Sequence, residues 1–275
     1  MISVLILTLN EEDNLPACLA SVQWSDDIVI LDSFSTDRTV EIARAAGARV
    51  IQRKFDNERD HRAAALQVPF KHDWVYNPDA DEITPPELRA EMLEVAKDTA
   101  RTEVAYRVRF KNMFMGRWLK HSSLYPTWVM RLFRPDKISF ERSINLRAVA
   151  HGPEGRLEHH FEHYSFNKGM SAWFDKHNRY SLQEAHESLK SLAADRWQWR
   201  VLLSRDPAAR RRALKELSFR LPCRPSLRFI YMYVWCLGFL DGWAGFTYCR
   251  LLTIYEYMIV LKMREIRRLQ QGQTN

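Results

Sequence analysis

The stretch DWVYNPDADEITPPEL, residues 73–88, decides how the chain is read. Residues 74–76 are apolar, as a buried strand requires, and Asp79, Asp81 and Glu82 follow directly at its end. Downstream, Thr84 is placed to cap a helix, Pro85 suits its first position, and Glu87 completes a capping box. The acids therefore occupy a short loop between a strand and a helix. Open parallel sheets bind their ligands at that kind of place. Three acids in four positions repel one another, and an isolated D-x-D pair reads as a solvated acidic turn, because short motifs match by chance. The rest of the chain has to supply a reason for gathering them.

Upstream the chain keeps one rhythm. ISVLILTL and DIVILDS are nearly continuous apolar runs, the pattern of strands buried on both faces. ARVIQR and DWVYNPDA read as third and fourth strands. EEDNLPACLASV, STDRTVEIARAAG and NERDHRAAALQV read as intervening helices, the second with Ser, Thr and Asp available as caps and Gly47 at its end. Strands and helices alternating at this spacing predict a parallel sheet with right-handed crossovers. Residues 103–165 contain EVAYRVRF, WVMRLFR and ISFERSI, strand-like but mixed with Arg and Lys, and are expected to extend the sheet as an acceptor-side wall. The expected class is α/β: a mixed, mainly parallel sheet with helices on both faces over residues 1–165, then a helical region over 166–275.

The chain has 275 residues, 46% apolar and 27% charged, so it can bury a sizeable core. The formal charge of +7 points to a polyanionic partner. Cys18, Cys223, Cys236 and Cys249 form no C-x-x-C pair and are expected to be buried small side chains. The apolar run 2–9 is short and lacks a basic flank, so it does not read as a signal peptide, and the amino-terminal half is expected in the cytoplasm.

Thr8 and Asn10 end the first strand, Asp32 and Ser33 the second, and Asp79 and Asp81 the fourth. All should lie along the ligand-binding edge of the sheet. A D-x-D pair there can hold a divalent metal carrying a diphosphate, and oxygen ligands favour Mg2+ or Mn2+. Asp32 can accept a hydrogen bond from a base or ribose, or simply cap a turn. No G-x-G-x-x-G and no G-x-x-x-x-G-K-[ST] follows the first strand, which disfavours dinucleotide and P-loop sites.

SVLILTLNEEDNLPACLASV, DDIVILDSFSTDRTVEIARAAGARV and NPDADE resemble the family 2 glycosyltransferases, inverting nucleotide-sugar enzymes of GT-A fold. RLFR, GPEGRLEHHFEHYSF, KHNRYSLQEA and FLDGWAGFTYCRLLTIYEYMIVLK further resemble bacterial relatives that build lipopolysaccharide core or exopolysaccharide. The resemblance implies that Thr8, Asn10, Glu11 and Ser33 line the nucleotide pocket and that Asp32 reads the base, usually uracil of a UDP-sugar. It implies that Asp79 and Asp81 flank the ribose and the metal diphosphate, with His163 a further metal or phosphate ligand. Two departures stand out. Relatives often carry Gln-Arg-Asn where this chain has His61-Arg62-Ala63, which keeps Arg62 for phosphate but loses an amide. Many also carry Val-His-Glu where this chain has Ile144-Asn145-Leu146. The general base is then open among Glu141, His151, Asp136 and Glu82, with Asp81 beside the reacting centre.

Residues 205–228 hold seven Arg and one Lys against one Asp and one Glu, a net +6. FIYMYVWCLGFL, twelve residues without a charge, follows at once. A spanning helix needs ~20 such residues, and Asp241 with Gly238, Gly242 and Gly245 interrupts the run. A basic stretch beside an aromatic-rich apolar one suggests an in-plane or re-entrant anchor on an anionic membrane surface. The alternative is a solvated basic face beside core helices. No recognised nucleic-acid-binding fold accompanies the charge, so no nucleic-acid partner is expected. The resulting expectation is a glycosyltransferase on the cytoplasmic face of the bacterial inner membrane, peripheral or monotopic, acting on a lipid-linked saccharide and free to oligomerise. A nucleotidyltransferase on a similar sheet, or a non-catalytic nucleotide- or lipid-binding module, are the competing readings. The acidic TLNEEDN loop disfavours the former.

Overall fold

The computed structural model describes residues 1–141, 147–193, 217 and 223–272. They form two compact units: Met1–Trp118 with Tyr125–Lys168, and Leu119–Leu124 with Gly169–Asn275. The second unit therefore takes in residues 119–124, which the sequence pattern assigns to the amino-terminal domain.

In the first unit the apolar runs form β1 (Ser3–Thr8), β2 (Ile28–Asp32), β3 (Arg49–Gln52) and the short β4 (Val75–Tyr76). Between them lie α1 (Leu15–Val22), α2 (Thr39–Ala45) and α3 (Glu58–Ala65). Helix α1 buries Leu15, Cys18, Leu19 and Val22, the i, i+3, i+4, i+7 stripe of a helix lying on a sheet. Gly47 adopts φ +78° just past α2, a left-handed turn that glycine enters without steric cost. After β5 (Glu82–Ile83) and α4 (Pro86–Lys97) come β6 (Ala105–Phe114), β7 (Arg117–Trp118) and β8 (Trp128–Phe133). The hairpin β9 (Ile138–Glu141) and β10 (Arg147–Ala150) and the long β11 (Glu154–His163) complete the unit.

The sheet order is β3-β2-β1-β4-β8-β6-β11-β5, with β7 on β6 and the β9–β10 hairpin separate. Strands β1 to β4 are parallel, β8 is antiparallel to β4 and β6, and β11 is parallel to β6. This mixed sheet carries α1 and α4 against one face, through Leu15, Leu88 and Met92, and α3 against the other, through Ala65. Because β6 and β11 run the same way as β4, they deliver Asn112 and His163 to the edge where β1, β2 and β4 end. Thr84 does not cap α4: its hydroxyl meets the Tyr76 hydroxyl at 3.0 Å, and the helix starts after Pro85 with no side-chain cap.

The second unit contains α5 (Gly169–Ala193), α6 (Arg224–Ile230) running into a π-helical turn Tyr231–Trp235, a 3-10 turn Gly238–Asp241, and α7 (Gly242–Gln270). Ala185 of α5 packs on Ile259 and Met263 of α7. Asp241 is buried, and its carboxylate accepts hydrogen bonds from the backbone N–H groups of Lys120, His121 and Ser122 and from the Ser122 hydroxyl. Gly245 permits this packing, since a Cβ there would lie 2.3 Å from the Gly238 carbonyl oxygen. Cys18 and Cys249 are buried, whereas Cys223 is exposed and Cys236 half-buried, so the expectation of four buried thiols holds for two. Most of the basic stretch 205–228, including Arg210, Arg211 and Arg212, lies outside the described residues.

At the amino-terminal edge of the sheet, Asp27 accepts hydrogen bonds from Ser3 Oγ at 2.6 Å, Lys71 N at 2.8 Å and Arg49 at 2.8 Å. Burial alone would raise its pKa, but the bonds from Lys71, Ser3 and Arg49 outweigh that and hold it below the ordinary value. A depressed folded pKa stabilises the protein above the unfolded value of ~3.9 and stops doing so as pH falls through the folded value. Asp27→Asn is therefore expected to cost about 2 kcal/mol at pH 7. Urea unfolding across a pH series should show that difference shrink below pH ~4; a deficit that stays constant into acid would show that charge is not what Asp27 contributes.

Candidate functional site

The carboxyl ends of β1 and β2 are stitched together by side chains. Asp32 is 0% exposed, and its carboxylate accepts from the Thr8 hydroxyl at 3.0 Å, the Ser35 hydroxyl at 2.5 Å, the Ser35 N–H at 2.9 Å and Gln52 Nε2 at 3.1 Å. Four donors fill a carboxylate's acceptor capacity. Asp32 is thus built into the wall and shapes the 33–37 loop, instead of presenting a free edge to a base as the resemblance implies. Asn10, at φ 55°, accepts from the Thr36 N–H at 2.8 Å, and its own N–H donates to Ser35 Oγ. The Glu11 carboxylate receives Asn14 Nδ2 at 2.8 Å and pairs with Lys168 at 2.5 Å. Ser33 Oγ lies 3.2 Å from His61 Nε2. Arg53 can only donate and sits 3.1 Å from His61 Nδ1, so Nε2 carries the proton and donates to Ser33. Burial, then the Arg53 charge, lowers the His61 pKa and keeps the ring neutral.

The loop after β4 is organised by Arg131 of β8. Its guanidinium donates to Asp79 Oδ2 at 2.5 Å and to the Glu82 carboxylate, and lies 5.6 Å from the Phe161 ring centre. Arg62 reaches the same cluster from α3, 3.3 Å from Asn77 Oδ1 and 3.4 Å from Asp79 Oδ1. Burial would raise the Asp79 pKa, yet Arg131 and Arg62 outweigh it and hold Asp79 ionised well below the usual range. Glu82 moves the other way, pushed up to about 7, chiefly by burial and with the Asp79 charge adding to it. Glu82 also accepts the Asp79 N–H and is fully enclosed, so it holds the loop and is not open to an acceptor.

Asp81 and His163 face each other, Oδ2 to Nε2 at 3.3 Å, each partly exposed. His163 Nδ1 lies 2.9 Å from Asn112 Oδ1, which accepts only, so Nδ1 carries a proton. Nε2 then points at a carboxylate and needs a cation between them. Burial would lower the His163 pKa, but the bond to Asp81 and the surrounding acids raise it, so a proton can fill that place. A divalent cation fits it equally by chemistry, with imidazole and carboxylate as donors and Asn112 fixing the ring. Among the described residues no group of three or more His, Cys, Asp or Glu side chains is arranged around a metal. Mg2+ and Mn2+ accept such sparse protein donors when substrate phosphate and water supply the rest. Asp79 stands beside that pair, its Oδ2 held by Arg131 and its Oδ1 3.4 Å from Arg62.

The structure does not bring the remaining candidates together. His151 precedes β11, its N–H bonded to the Lys137 carbonyl and its Nε2 2.9 Å from Ser139 Oγ. β11, which with its bulge spans the seven steps from Ala105 to Asn112 on β6, separates that end from His163 by ~23 Å at ~3.3 Å per step. Asp136 lines a hollow with His72, Asp73 and Arg134 at the same far edge. Glu141 is exposed at the end of β9 opposite Arg147. Ile144, Asn145 and Leu146 lie outside the described residues. Arg131 and Asn112 are the residues that sequence reasoning missed. The one available signal for Arg131 is a lone cation inside the apolar strand WVMRLF.

Removing Arg131 would leave Glu82 and Asp79 buried or half-buried without their shared cation. Arg131→Met is expected to lower stability by ~3–5 kcal/mol, with Arg131→Lys in between because it keeps the charge but loses the fork. Denaturant midpoints that place Arg131→Met level with the wild type would show that the acids do not depend on it.

Comparison with known proteins gives the site its family. Residues 3–152 match the model described as glycosyl transferase family 2. An uncharacterized glycosyltransferase of Rickettsia typhi is 31% identical over 52% of this chain and 50% of its own length. The prophage-derived glycosyltransferase SunS of Bacillus subtilis is 28% identical over 34% of this chain and 22% of its own. The chain spans about half the length of the Rickettsia relatives it matches. Glucosyl-3-phosphoglycerate synthase from Mycobacterium tuberculosis, solved with Mn2+, uridine diphosphate and glucosyl-3-phosphoglycerate, is similar at 26% identity, 40% of this chain, 44% of that chain and a TM-score of 0.35. The match over residues 3–152 takes in Thr8, Asp32, Asp79, Asp81 and Arg131, and by it the chain belongs to glycosyl transferase family 2.

Proposed function

We propose that this protein transfers a sugar from a nucleoside diphosphate sugar, a UDP-sugar, to a hydroxyl of a lipid-linked saccharide, with inversion, in the synthesis of a cell-envelope polysaccharide or lipopolysaccharide. The observation that carries the reading is the Asp81–His163 pair beside Asp79, set at the edge of the sheet where β1, β2 and β4 end. Asp81 and His163 would hold Mg2+ or Mn2+, which supplies Lewis-acid stabilisation of the leaving diphosphate. Arg62 offers a second cation: its 3.3–3.4 Å bonds to Asn77 and Asp79 are long enough to yield to a phosphate oxygen. The stitched loops of Thr8, Asn10, Glu11 and the Asp32–Ser35 turn form the nucleotide wall. In the displacement the acceptor oxygen bonds to the anomeric carbon as the carbon–oxygen bond to diphosphate breaks, and the acceptor proton passes to a base. Glu82 is held by Arg131, and His151 and Asp136 lie at the far edge. Glu141 is the one of the four candidates that these contacts leave available.

Membrane association is part of the same reading. Among the described residues no single helix is long and apolar enough to cross a membrane, but Arg224–Trp235 and Gly238–Gln270 meet at a 74° bend. Residues 229–249 contain one charged side chain, Asp241, and its carboxylate is buried in four hydrogen bonds. That removes the obstacle Asp241 poses in the sequence. Trp235 is 81% exposed and Trp243 70%, with Ile230, Val234 and Leu240 exposed beside them. Aromatic side chains of this kind settle at a headgroup boundary. The preceding basic stretch adds about 1 kcal/mol per cation near an anionic surface, which supports a peripheral or monotopic place at the cytoplasmic face of the inner membrane.

Three outcomes follow. Incubation with a panel of nucleotide sugars and Mg2+ or Mn2+ should release nucleoside diphosphate, and excess chelator should stop it. Asp81→Ala should lower turnover by at least about a hundredfold, within the range of a lost general or Lewis-acid contribution, with an unchanged melting temperature. Full turnover in that variant would remove Asp81 from the chemistry. In flotation with phosphatidylglycerol-containing vesicles, the wild type should rise with lipid, and Trp235→Glu with Leu240→Glu should stay at the bottom. Equal flotation of both would move the membrane contact elsewhere.

A further inference from the structure

One face of the sheet formed by β6, β8 and β11, half-buried except at the exposed Arg156, carries cations set beside aromatic rings. Arg109 lies 5.7 Å from the Trp128 ring centre and 6.0 Å from that of Tyr125. Arg156 lies 5.2 Å from Trp128, and Lys111 lies 4.8 Å from Trp118. The His160 ring stacks on Trp118 at 6.4 Å. The register explains the alignment: Arg156 pairs with Arg107, His160 with Arg109, Glu162 with Lys111, and Trp128 with Arg109 across the other side. Side chains two apart along a strand share a face, so these residues stand together, opposite the buried Val108, Leu157 and Phe161.

Many arginines of the unit sit in ion pairs. Arg38, Arg49, Arg53, Arg59, Arg62, Arg101 and Arg107 each bond a carboxylate. Arg109, Lys111 and Arg156 have no carboxylate partner within 4 Å among the described residues and rest on rings instead. Arg109 donates to the Glu158 carbonyl, and its Nε is buried with no hydrogen-bond partner. Arg156 is exposed and pairs with no carboxylate among the described residues, so its donors can meet a planar or tetrahedral anion. Ring faces already covered by cations are poor platforms for neutral sugars. In backbone register Lys111 and Glu162 stand one step before Asn112 and His163, whose side chains project from the other face of the same strand ends.

We propose that this face binds the acceptor through an anionic group, a phosphate or carboxylate carried on its saccharide. This rests on the glycosyl-transfer reading for the word acceptor, but the binding itself does not.

The test is calorimetric titration of the full chain with three synthetic disaccharides of one skeleton: phosphorylated, uronate-bearing and neutral. An anionic disaccharide should bind at least tenfold tighter than the neutral one at low salt, and whichever of the two binds tighter names the group. Arg109→Gln with Arg156→Gln should erase the preference, and Arg109→Lys with Arg156→Lys should restore only part of it, because the fork is lost. Melting temperatures of both variants report on folding. Equal binding of all three sugars, or a preference that survives the Gln variant, overturns the proposal. If nucleotide sugars are not turned over yet the preference and its loss are seen, glycosyl transfer fails while the anionic saccharide site stands.

Discussion

The buried guanidinium of Arg131 is the interaction on which the site depends. It stands between Asp79 and Glu82, two acids that the loop after β4 forces together. Buried like charges this close would otherwise protonate or pull the loop apart. With Arg131 in place, Asp79 stays ionised and Glu82 becomes a hydrogen-bonding strut under the Asp79 N–H. The loop then takes one shape, and Asp81 is left facing His163.

The sheet topology makes that pairing possible. Arg131 comes from β8, antiparallel to β4, and His163 from β11, parallel to β6. The antiparallel run of β8 sets Arg131 level with the end of β4, and the parallel run of β11 carries His163 to the same edge. The strands on the amino-terminal side supply a rigid wall, with the Asp32 carboxylate tying Thr8, Ser35 and Gln52 together. The strands on the far side supply the counter-charge and the imidazole. One half thus shapes this edge of the sheet, and the other half sets its electrostatics.

The helical unit uses the same device for a different end. Asp241 is satisfied by three backbone N–H groups and a hydroxyl, so an acid in the middle of an apolar segment costs little. Gly238 and Gly245 allow the close approach this needs. In both units a carboxylate that looks exposed in the sequence serves to hold a loop.

Much of the first unit was determined locally and is legible in the chain. The β1 and β2 runs, the α1 stripe, Gly47 after α2 and the acids after β4 follow from short-range pattern, because burial on both sheet faces and helical periodicity act over a few residues. The family pattern in residues 3–90 likewise rests on contiguous motifs. The roles of the acids were decided elsewhere. Asp32 looks like a ligand contact until Gln52 and Ser35 fill its oxygens. Asp79 looks like a metal ligand until Arg131, 52 residues away, takes it. Glu82, His151 and Asp136 lose their claim to base catalysis through enclosure or through the ~23 Å span of β11. Thr84 loses its capping role to Tyr76. A carboxylate's chemistry depends on which donors surround it, and those donors arrive through strand pairing between distant segments, which no local spacing encodes.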